Sequence, residues 1–317
     1  MAIAWKSHRI ETGETGEFHF DDGVIFKQIA GIQAFQSKYK EHKHHKIKYF
    51  GIELQVTKPN DHQINVRLTQ TLQDGSSNKL DKSTSWAMVT VVVSYLPNDD
   101  TFSLSNIDIY KNGSLYETLL GKSMKRAGAF LGSFYSDFSG DHDIHSVSGS
   151  SSAETQELSA IVGGSCVVKK EEKTISTPTI LETNLIAITE AESIGAAMRM
   201  IQISPKIFIA GGITNDTGSV EFDFEIGEVA VLITSYEMSY GSGINHNVGT
   251  IMAGAAKWED SVYKTKSKEY YKIDADNPKK MTIYSNASMY EMKNSTTIKN
   301  QSVTNNVTYL VLAMPKP

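Results

Sequence analysis

The stretch FQSKYKEHKHHKI at residues 35–47 holds two aromatic residues four positions apart, a polar turn, and a histidine followed two positions later by an aliphatic residue. The same order returns in FYSDFSGDHDI at 134–144 and in YEMSYGSGINHNV at 236–248. Copies spaced by about one hundred residues predict a diverged internal repeat of three units. The equivalent positions are Phe35, Tyr39, His45 and Ile47; Phe134, Phe138, His142 and Ile144; and Tyr236, Tyr240, His246 and Val248.

Short segments of alternating character surround the first copy. IKYFGIELQV at 47–56 and INVRLTQTL at 64–72 alternate apolar and polar residues, which is typical of half-buried strands. AMVTVVVSYLP at 87–97 is mostly apolar, which predicts a strand buried on both faces. Short strands with frequent turn signals predict an all-β chain of tandem antiparallel β-sandwich units.

The third copy has flanking segments like those of the first. EFDF at 221–224 matches EFHF at 17–20, and NNVTYLVLAMP at 305–315 matches AMVTVVVSYLP at 87–97. Matches that keep the same order are hard to obtain by chance, so units 1 and 3 are the two clear copies.

The middle unit is the diverged one. Its tract HSVSGSSSAETQ at 145–156 is interpreted as either a flexible loop or a long hairpin. In AESIGAAMRMIQ, three apolar residues (Ile194, Met198 and Ile201) fall on one helical face, which predicts a short linker helix. The predicted division is unit 1 at 1–98, unit 2 at 99–192, the linker helix at 193–204 and unit 3 at 205–317.

Composition excludes some classes of protein. A formal net charge of −5 argues against a protein that binds nucleic acid by broad phosphate neutralisation. The single cysteine, Cys166, excludes an intramolecular disulfide and lies in an apolar run, which predicts a buried thiol. No apolar run reaches the ~20 residues of a membrane helix. The first residues lack the apolar core of a secretory signal, so we expect cytoplasmic synthesis, with release or particle assembly left open.

The repeated histidines are the first candidates for a site. His45, His142 and His246 occur once per unit, and His44 and Asp141 add possible ligands beside them. A metal site needs two to four gathered ligands, and the third copy, GINHNV, has no carboxylate. The favoured interpretation is that each histidine follows a turn and hydrogen-bonds a backbone carbonyl. We expect no metal, no cofactor and no catalytic residue.

The aromatic residues have two interpretations. Residues four apart on a strand share a face, so each repeated pair is most simply core. A stacking surface for a sugar would instead use exposed rings near loops. The candidates for such stacking are Trp86, Tyr95, Tyr116, Trp258, Tyr263, Tyr270 and Tyr271. The sequence contains no GxSxG, P-loop, GxGxxG or HExxH motif, which favours a protein that is not an enzyme.

The first unit resembles the H-type lectin domain. The resemblance lies in RIETGETGEFHF at 9–20, FGIELQVTKPNDHQINVRLTQTL at 50–72 and STSWAMVTVVVSYLP at 83–97, about a third of the chain. It implies a six-stranded antiparallel sandwich that commonly trimerises and binds sugars, with Trp86 as a sugar contact. Tyr95 stands where that family usually has tryptophan.

These observations leave three hypotheses for function. The first is a binding protein that recognises carbohydrate or a cell-surface receptor through loops, with repetition raising avidity. The second is a structural component of a phage or contractile-tail-like particle. The third is an oligomeric toxin subunit, favoured by the Ser/Gly-rich tract at 145–168. We expect a homo-oligomer with no nucleic-acid partner. The candidate ligand-binding residues are Trp86, His44, His45, Asp141, His142 and His246.

Overall fold

The computed structural model describes residues 3–40, 44–95, 102–120, 126–171, 173–174, 177–188, 199–204, 207–214, 217–241, 244–255, 271–294 and 297–316. In these residues the chain is all-β, built from several antiparallel sheets, which confirms the predicted fold class. Across the same residues, no helix has the length and apolar character needed to cross a bilayer.

The strands divide among the three predicted units. Unit 1 contains β1 (Ile3–Glu11), β2 (Thr15–His19), β3 (Lys27–Lys38), β4 (Ile47–Asn60), β5 (Gln63–Gln73) and β6 (Trp86–Ser94). Unit 2 contains β7 (Phe102–Asp108), β8 (Leu115–Leu119), β9 (Arg126–His142), β10 (Ser146–Gln156), β11 (Ser159–Lys170), β12 (Lys173–Thr174) and β13 (Thr177–Ile188). β14 (Arg199–Ser204) falls in the predicted linker. Unit 3 contains β15 (Ile207–Thr214), β16 (Thr217–Glu221), β17 (Ile226–Ser239), β18 (Thr250–Ala255), β19 (Tyr271–Ile273), β20 (Lys280–Asn294), β21 (Thr297–Gln301) and β22 (Thr304–Pro315).

Each of the three sheets is shared by two units. Their strand orders are β2-β5-β4-β9-β13-β7, β12-β11-β10-β17-β22-β15-β14, and β1-β6-β3-β18-β20-β16. β8 also pairs with β11, and β19 and β21 also pair with β20. The units therefore meet at three antiparallel pairs, β4–β9, β10–β17 and β18–β3. We call these pairs seam 1–2, seam 2–3 and seam 3–1, and together they close the chain into a cycle.

Three aromatic rings, one from each unit, meet where the cycle closes. The ring centroids of Phe35 and Phe134 lie 6.2 Å apart, those of Phe35 and Tyr236 5.4 Å, and those of Phe134 and Tyr236 6.1 Å. All three side chains are buried. Edge-to-face and tilted contacts at these distances are favourable beyond the burial of area alone. The first aromatic of each repeated stretch therefore forms part of one shared core.

The three copies agree in strand position as well as in sequence. Phe35 pairs with Ala87, Phe134 with Leu181 and Tyr236 with Val307. Each ladder also has a register shift just before the aromatic residue, between Ile32 and Ala34, between Leu131 and Phe134, and between Ile233 and Ser235. A bulge bends its strand and increases its twist, so it lets each long strand turn toward the shared core.

The layer next to the three rings depends on one glycine. Gly31, Phe130 and Leu232 lie four residues before the aromatic of each unit. A Cβ at Gly31 would overlap Cδ2 of Phe130 and lie 2.9 Å from Cδ2 of Leu232. Two large side chains therefore fill this layer only because the third position has no side chain.

Two sequence interpretations need correction. A helix was expected over 193–204, but Arg199–Ser204 forms strand β14, paired with β15, and 193–198 lies outside the described residues. A short apolar pattern is ambiguous between helix and strand, and here the ladder to β15 decides it.

EFDF was matched to EFHF, yet Phe222 N–H donates to Lys279 O as Phe20 N–H donates to His62 O. Phe222 is therefore equivalent to Phe20 and not to Phe18, so the sequence match was wrong by two residues. The tract at 145–156 is the long hairpin, β10 with β11.

Replacing Gly31 by alanine should destabilise the protein by about 1–3 kcal/mol, because the added methyl group overpacks the layer. Adding Phe130→Leu should recover part of the loss, since it shortens the ring that the methyl group meets. Chemical denaturation of the single and double variants measures both. Gly23→Ala is the matched control, because a Cβ there meets Tyr95 only at an ordinary 3.4 Å. Additive losses in the double variant would contradict this account of the layer.

Candidate functional site at the seams

The histidine of unit 1 lies where units 1 and 3 meet. His45 exchanges both backbone hydrogen bonds with Val248, at 3.0 and 2.9 Å. Its ring lies 4.8 Å from the ring of Tyr39, and its Nδ1 lies 3.1 Å from Oδ2 of Asp74. Burial, followed by the charges of Asp74 and Asp141, raises the pKa of Tyr39 far above its usual range. The Tyr39 hydroxyl therefore stays protonated and donates to Lys46 O at 3.0 Å.

Unit 3 repeats this arrangement against unit 2. His246 exchanges backbone hydrogen bonds with Ile144, both at 2.9 Å, and its ring lies 4.9 Å from that of Tyr240. Its Nδ1 lies 3.2 Å from Oε2 of Glu291, whose side chain is only 2% exposed. Lys299 Nζ donates to Glu291 Oε1 at 3.0 Å, and Asn300 Nδ2 donates to its other oxygen. These contacts compensate a carboxylate that would otherwise be costly to bury.

The acidic partners occupy equivalent positions. Leu72 pairs with Phe50 and Met289 pairs with Ile251, so Asp74 and Glu291 each lie two residues further along an equivalent strand. In unit 2 the same count from Val168, which pairs with Val147, reaches Lys170. The second unit therefore has lysine in place of the acid.

Unit 2 also has Phe138 in place of the tyrosine. His142 pairs with Ile47 in the ladder, so its backbone position is preserved. Its Nε2, however, lies 3.0 Å from Phe138 O, and within the described part of the chain its ring forms no ion pair with a carboxylate. The predicted contact of a histidine with a backbone carbonyl thus describes His142, whereas His45 and His246 contact carboxylates.

The residue before each repeated histidine joins its unit to the neighbouring one. His44 Nδ1 contacts Met292 O, Gly75 N–H donates to Asp141, and Glu171 N–H donates to Asn245 Oδ1 at 2.7 Å. The three backbone partners each follow the acid position or its equivalent. We call these three contacts latches. In the His44 latch a ring N–H faces a carbonyl oxygen, and in the other two a side-chain oxygen accepts from a backbone N–H.

Five of the six predicted site residues therefore lie at one end of the seams. His44, His45, Asp141, His142 and His246 all contact other residues there. Trp86 is fully buried, with Cζ of Arg9 4.6 Å from its ring centroid. A ring without an exposed face cannot stack on a sugar, so the contact carried over from the resemblance is not placed for that role. Tyr95, Tyr116 and Tyr271 are partly exposed, and Trp258, Tyr263 and Tyr270 lie outside the described residues.

Two tyrosines that the sequence did not single out lie across seam 1–2. The rings of Tyr49 on β4 and Tyr135 on β9 have centroids 6.2 Å apart and planes 21° apart. Both side chains are partly exposed. Tyr135 directly follows a repeated aromatic and Tyr49 begins an alternating strand, but only the pairing of units 1 and 2 brings them together.

The cysteine thiol and the possible metal ligands are the remaining candidates for chemistry. Cys166 is fully buried, as predicted, and burial raises the pKa of its thiol to about 12, which disfavours the thiolate form. Where side chains are described, no group of three His, Cys, Asp or Glu residues is placed to hold a metal ion.

No family model matches the chain, and no curated protein matches it significantly.

Alanine at His246 should cost about 1.5–3 kcal/mol of unfolding free energy, because it removes a hydrogen-bond partner of the buried Glu291 carboxylate. Alanine at His142 should cost only about 0.5–1.5 kcal/mol, the range for a typical hydrogen bond, because His142 contacts a backbone carbonyl. Denaturant titrations compare the two. His19→Ala is the control, since His19 and Glu17 are 59% and 61% exposed and their pair should contribute little. Equal losses at 142 and 246 would contradict the unequal role of the acid position.

Glu182→Gln should stabilise the protein increasingly as pH rises above about 4.5. Burial, and then Asp108, raise the pKa of Glu182 in the fold, so folding favours its protonated form. The wild type therefore loses stability as pH rises through that raised pKa, and the glutamine variant does not. Burial and the charge of Glu182 act on Glu53 in the same direction. Melting temperatures of both single variants and the double variant, from pH 4 to 8, test the sign. A gain that does not change with pH would contradict it.

Proposed function

We propose that this chain is a non-enzymatic binding protein that recognises carbohydrate, or a glycosylated cell-surface receptor, as a single-chain pseudo-trimer. The observation that carries the proposal is the strand arrangement of unit 1. Its six strands form two three-stranded antiparallel halves, β1-β6-β3 and β2-β5-β4. A six-stranded sandwich that commonly trimerises is what the resemblance to H-type lectin domains implies, and three units close into one cycle here.

The contacts of the histidines support a binding role over catalysis. His45 and His246 are held against carboxylates, and their tyrosine neighbours donate to the backbone. In all three units the backbone of the repeated histidine pairs with a neighbouring unit. Groups with these commitments stabilise the assembly, which leaves recognition to the outer faces and loops.

Interlocked units also favour the second hypothesis, a structural component of a phage or contractile-tail-like particle. Every seam combines strand pairing with a side-chain latch, as a rigid building block would require. The tract that favoured a toxin subunit forms β10 and β11, both paired within one sheet. That pairing removes the support that a free Ser/Gly-rich tract would give to the toxin hypothesis.

Glycan-array binding by the full chain, together with light scattering on size exclusion, tests the proposal. We expect retention on a subset of glycans by a monomer or small oligomer. A large stable homo-oligomer that binds no glycan would overturn the proposal in favour of the assembly role. Dye release from liposomes would instead favour the toxin.

A further inference from the structure

The outer face of seam 1–2 carries a small aromatic surface, formed by Tyr49 and Tyr135. Tyr49 pairs with Asp137 and Tyr135 pairs with Gly51, so the two rings are diagonal neighbours on one face of the sheet. The planes differ by only 21°, whereas the exposed Tyr110 and its neighbour Tyr116 meet at 68°. The two rings are stacked and partly exposed, so they present aromatic surface against which a flat apolar ligand face can pack.

Gly51 positions the Tyr135 ring. A Cβ at residue 51 would lie 2.7 Å from Phe134 O and 2.8 Å from Cδ2 of Tyr135. Any larger residue would therefore collide with the strand and with the ring. The missing side chain lets the Tyr135 ring approach the backbone of β4.

Charged groups of both signs surround the two rings. Lys48 Nζ lies 5.0 Å from the centroid of Tyr49, and Asp137 lies directly opposite Tyr49. Glu53 follows Gly51 by two residues in a regular ladder, so it faces the same side. One ammonium and two carboxylates give this rim both donors and acceptors, with a net negative charge.

We propose that Tyr49 and Tyr135 form a stacking site for a neutral pyranose, an inference that rests on the proposed function. The hydroxyl groups of the sugar would form hydrogen bonds with Lys48, Glu53 and Asp137. A pyranose has an apolar face of C–H groups and a rim of hydroxyls. Tyrosine offers the matching combination of an apolar ring and a polar tip. Carboxylates accept strong hydrogen bonds from hydroxyls, and the ammonium donates to them. The net negative rim disfavours a sugar acid.

The site is specific to one seam. By register, the positions of Tyr49, Gly51 and Tyr135 correspond to Ser146, Ser148 and Glu237 at seam 2–3. At seam 3–1 they correspond to Thr250, Met252 and Gln36. Neither set contains an aromatic residue. The three repeats therefore carry one stacking site of this kind, and the avidity of a single chain does not come from three equal copies of it.

The test measures binding of the full chain to immobilised neutral, amino-substituted and sialylated oligosaccharides. Variants are Tyr49→Ala, Tyr135→Ala and both Tyr→Phe changes. We expect each alanine variant to bind neutral glycans about tenfold more weakly, which corresponds to the upper value for one aromatic contact. The phenylalanine variants keep the ring and should retain most of the affinity. Tyr110→Ala is the matched control, since Tyr110 is 83% exposed and meets its described ring neighbour, Tyr116, at 68°.

Melting temperatures confirm that every variant folds. If the wild type binds glycans and both alanine variants bind equally well, the site is wrong while the proposed function stands. Binding confined to sialylated glycans would overturn the ligand class. If the folded wild type binds no glycan, both the site and the proposed function fail.

Discussion

The contact among Phe35, Phe134 and Tyr236 is the constraint on which the other features depend. A three-stranded half-sandwich must bury its apolar side chains against another layer to be stable in water. Each unit buries these side chains by contributing strands to two sheets, so the long strands must converge on the three aromatic rings. Convergence requires a bulge before each aromatic residue and a glycine in the next layer. Because these requirements are joined, a change at one of them is felt in all three units.

Polar contacts add to the stability that the aromatic contact provides. The pairs His45–Asp74 and His246–Glu291 stabilise the ends of two units, whereas His142 in the middle unit has Lys170 at the acid position. The Tyr236 hydroxyl shows the same adjustment inside the core. Burial holds its pKa above the usual range, and a Cβ at Gly149 would meet its ring at 2.6 Å. Tyrosine fits where the other units have phenylalanine because glycine lies opposite it. A residue that departs from the repeat, such as Tyr236, is therefore accompanied by a compensating residue beside it, here Gly149.

Sequence patterns predicted the fold class well and the assembly poorly. Alternation between 47 and 72 predicted β4 and β5, and the repeated aromatic pairs were correctly interpreted as core. Pairing between units left no signal in any single stretch, so the strands were not assigned to shared sheets. The histidines were selected because their spacing recurs, and five of the six selected residues do lie at the seams between units. Tyr49 and Tyr135 were missed because they are eighty-six residues apart and adjacent only through seam 1–2. Trp86 was misplaced because the sequence does not show that Arg9 covers its ring.

The latches His44, Asp141 and Asn245 are chemically different at equivalent positions. In an assembly of three identical chains, every substitution appears three times, so each new residue must suit all three contacts at once. Joining the repeats covalently removes that restriction. One seam can then acquire a pair of tyrosines and another can lose an acid, while the remaining contacts hold the ring closed. Three repeats within one chain can thus diversify face by face, which the subunits of a symmetric trimer cannot do.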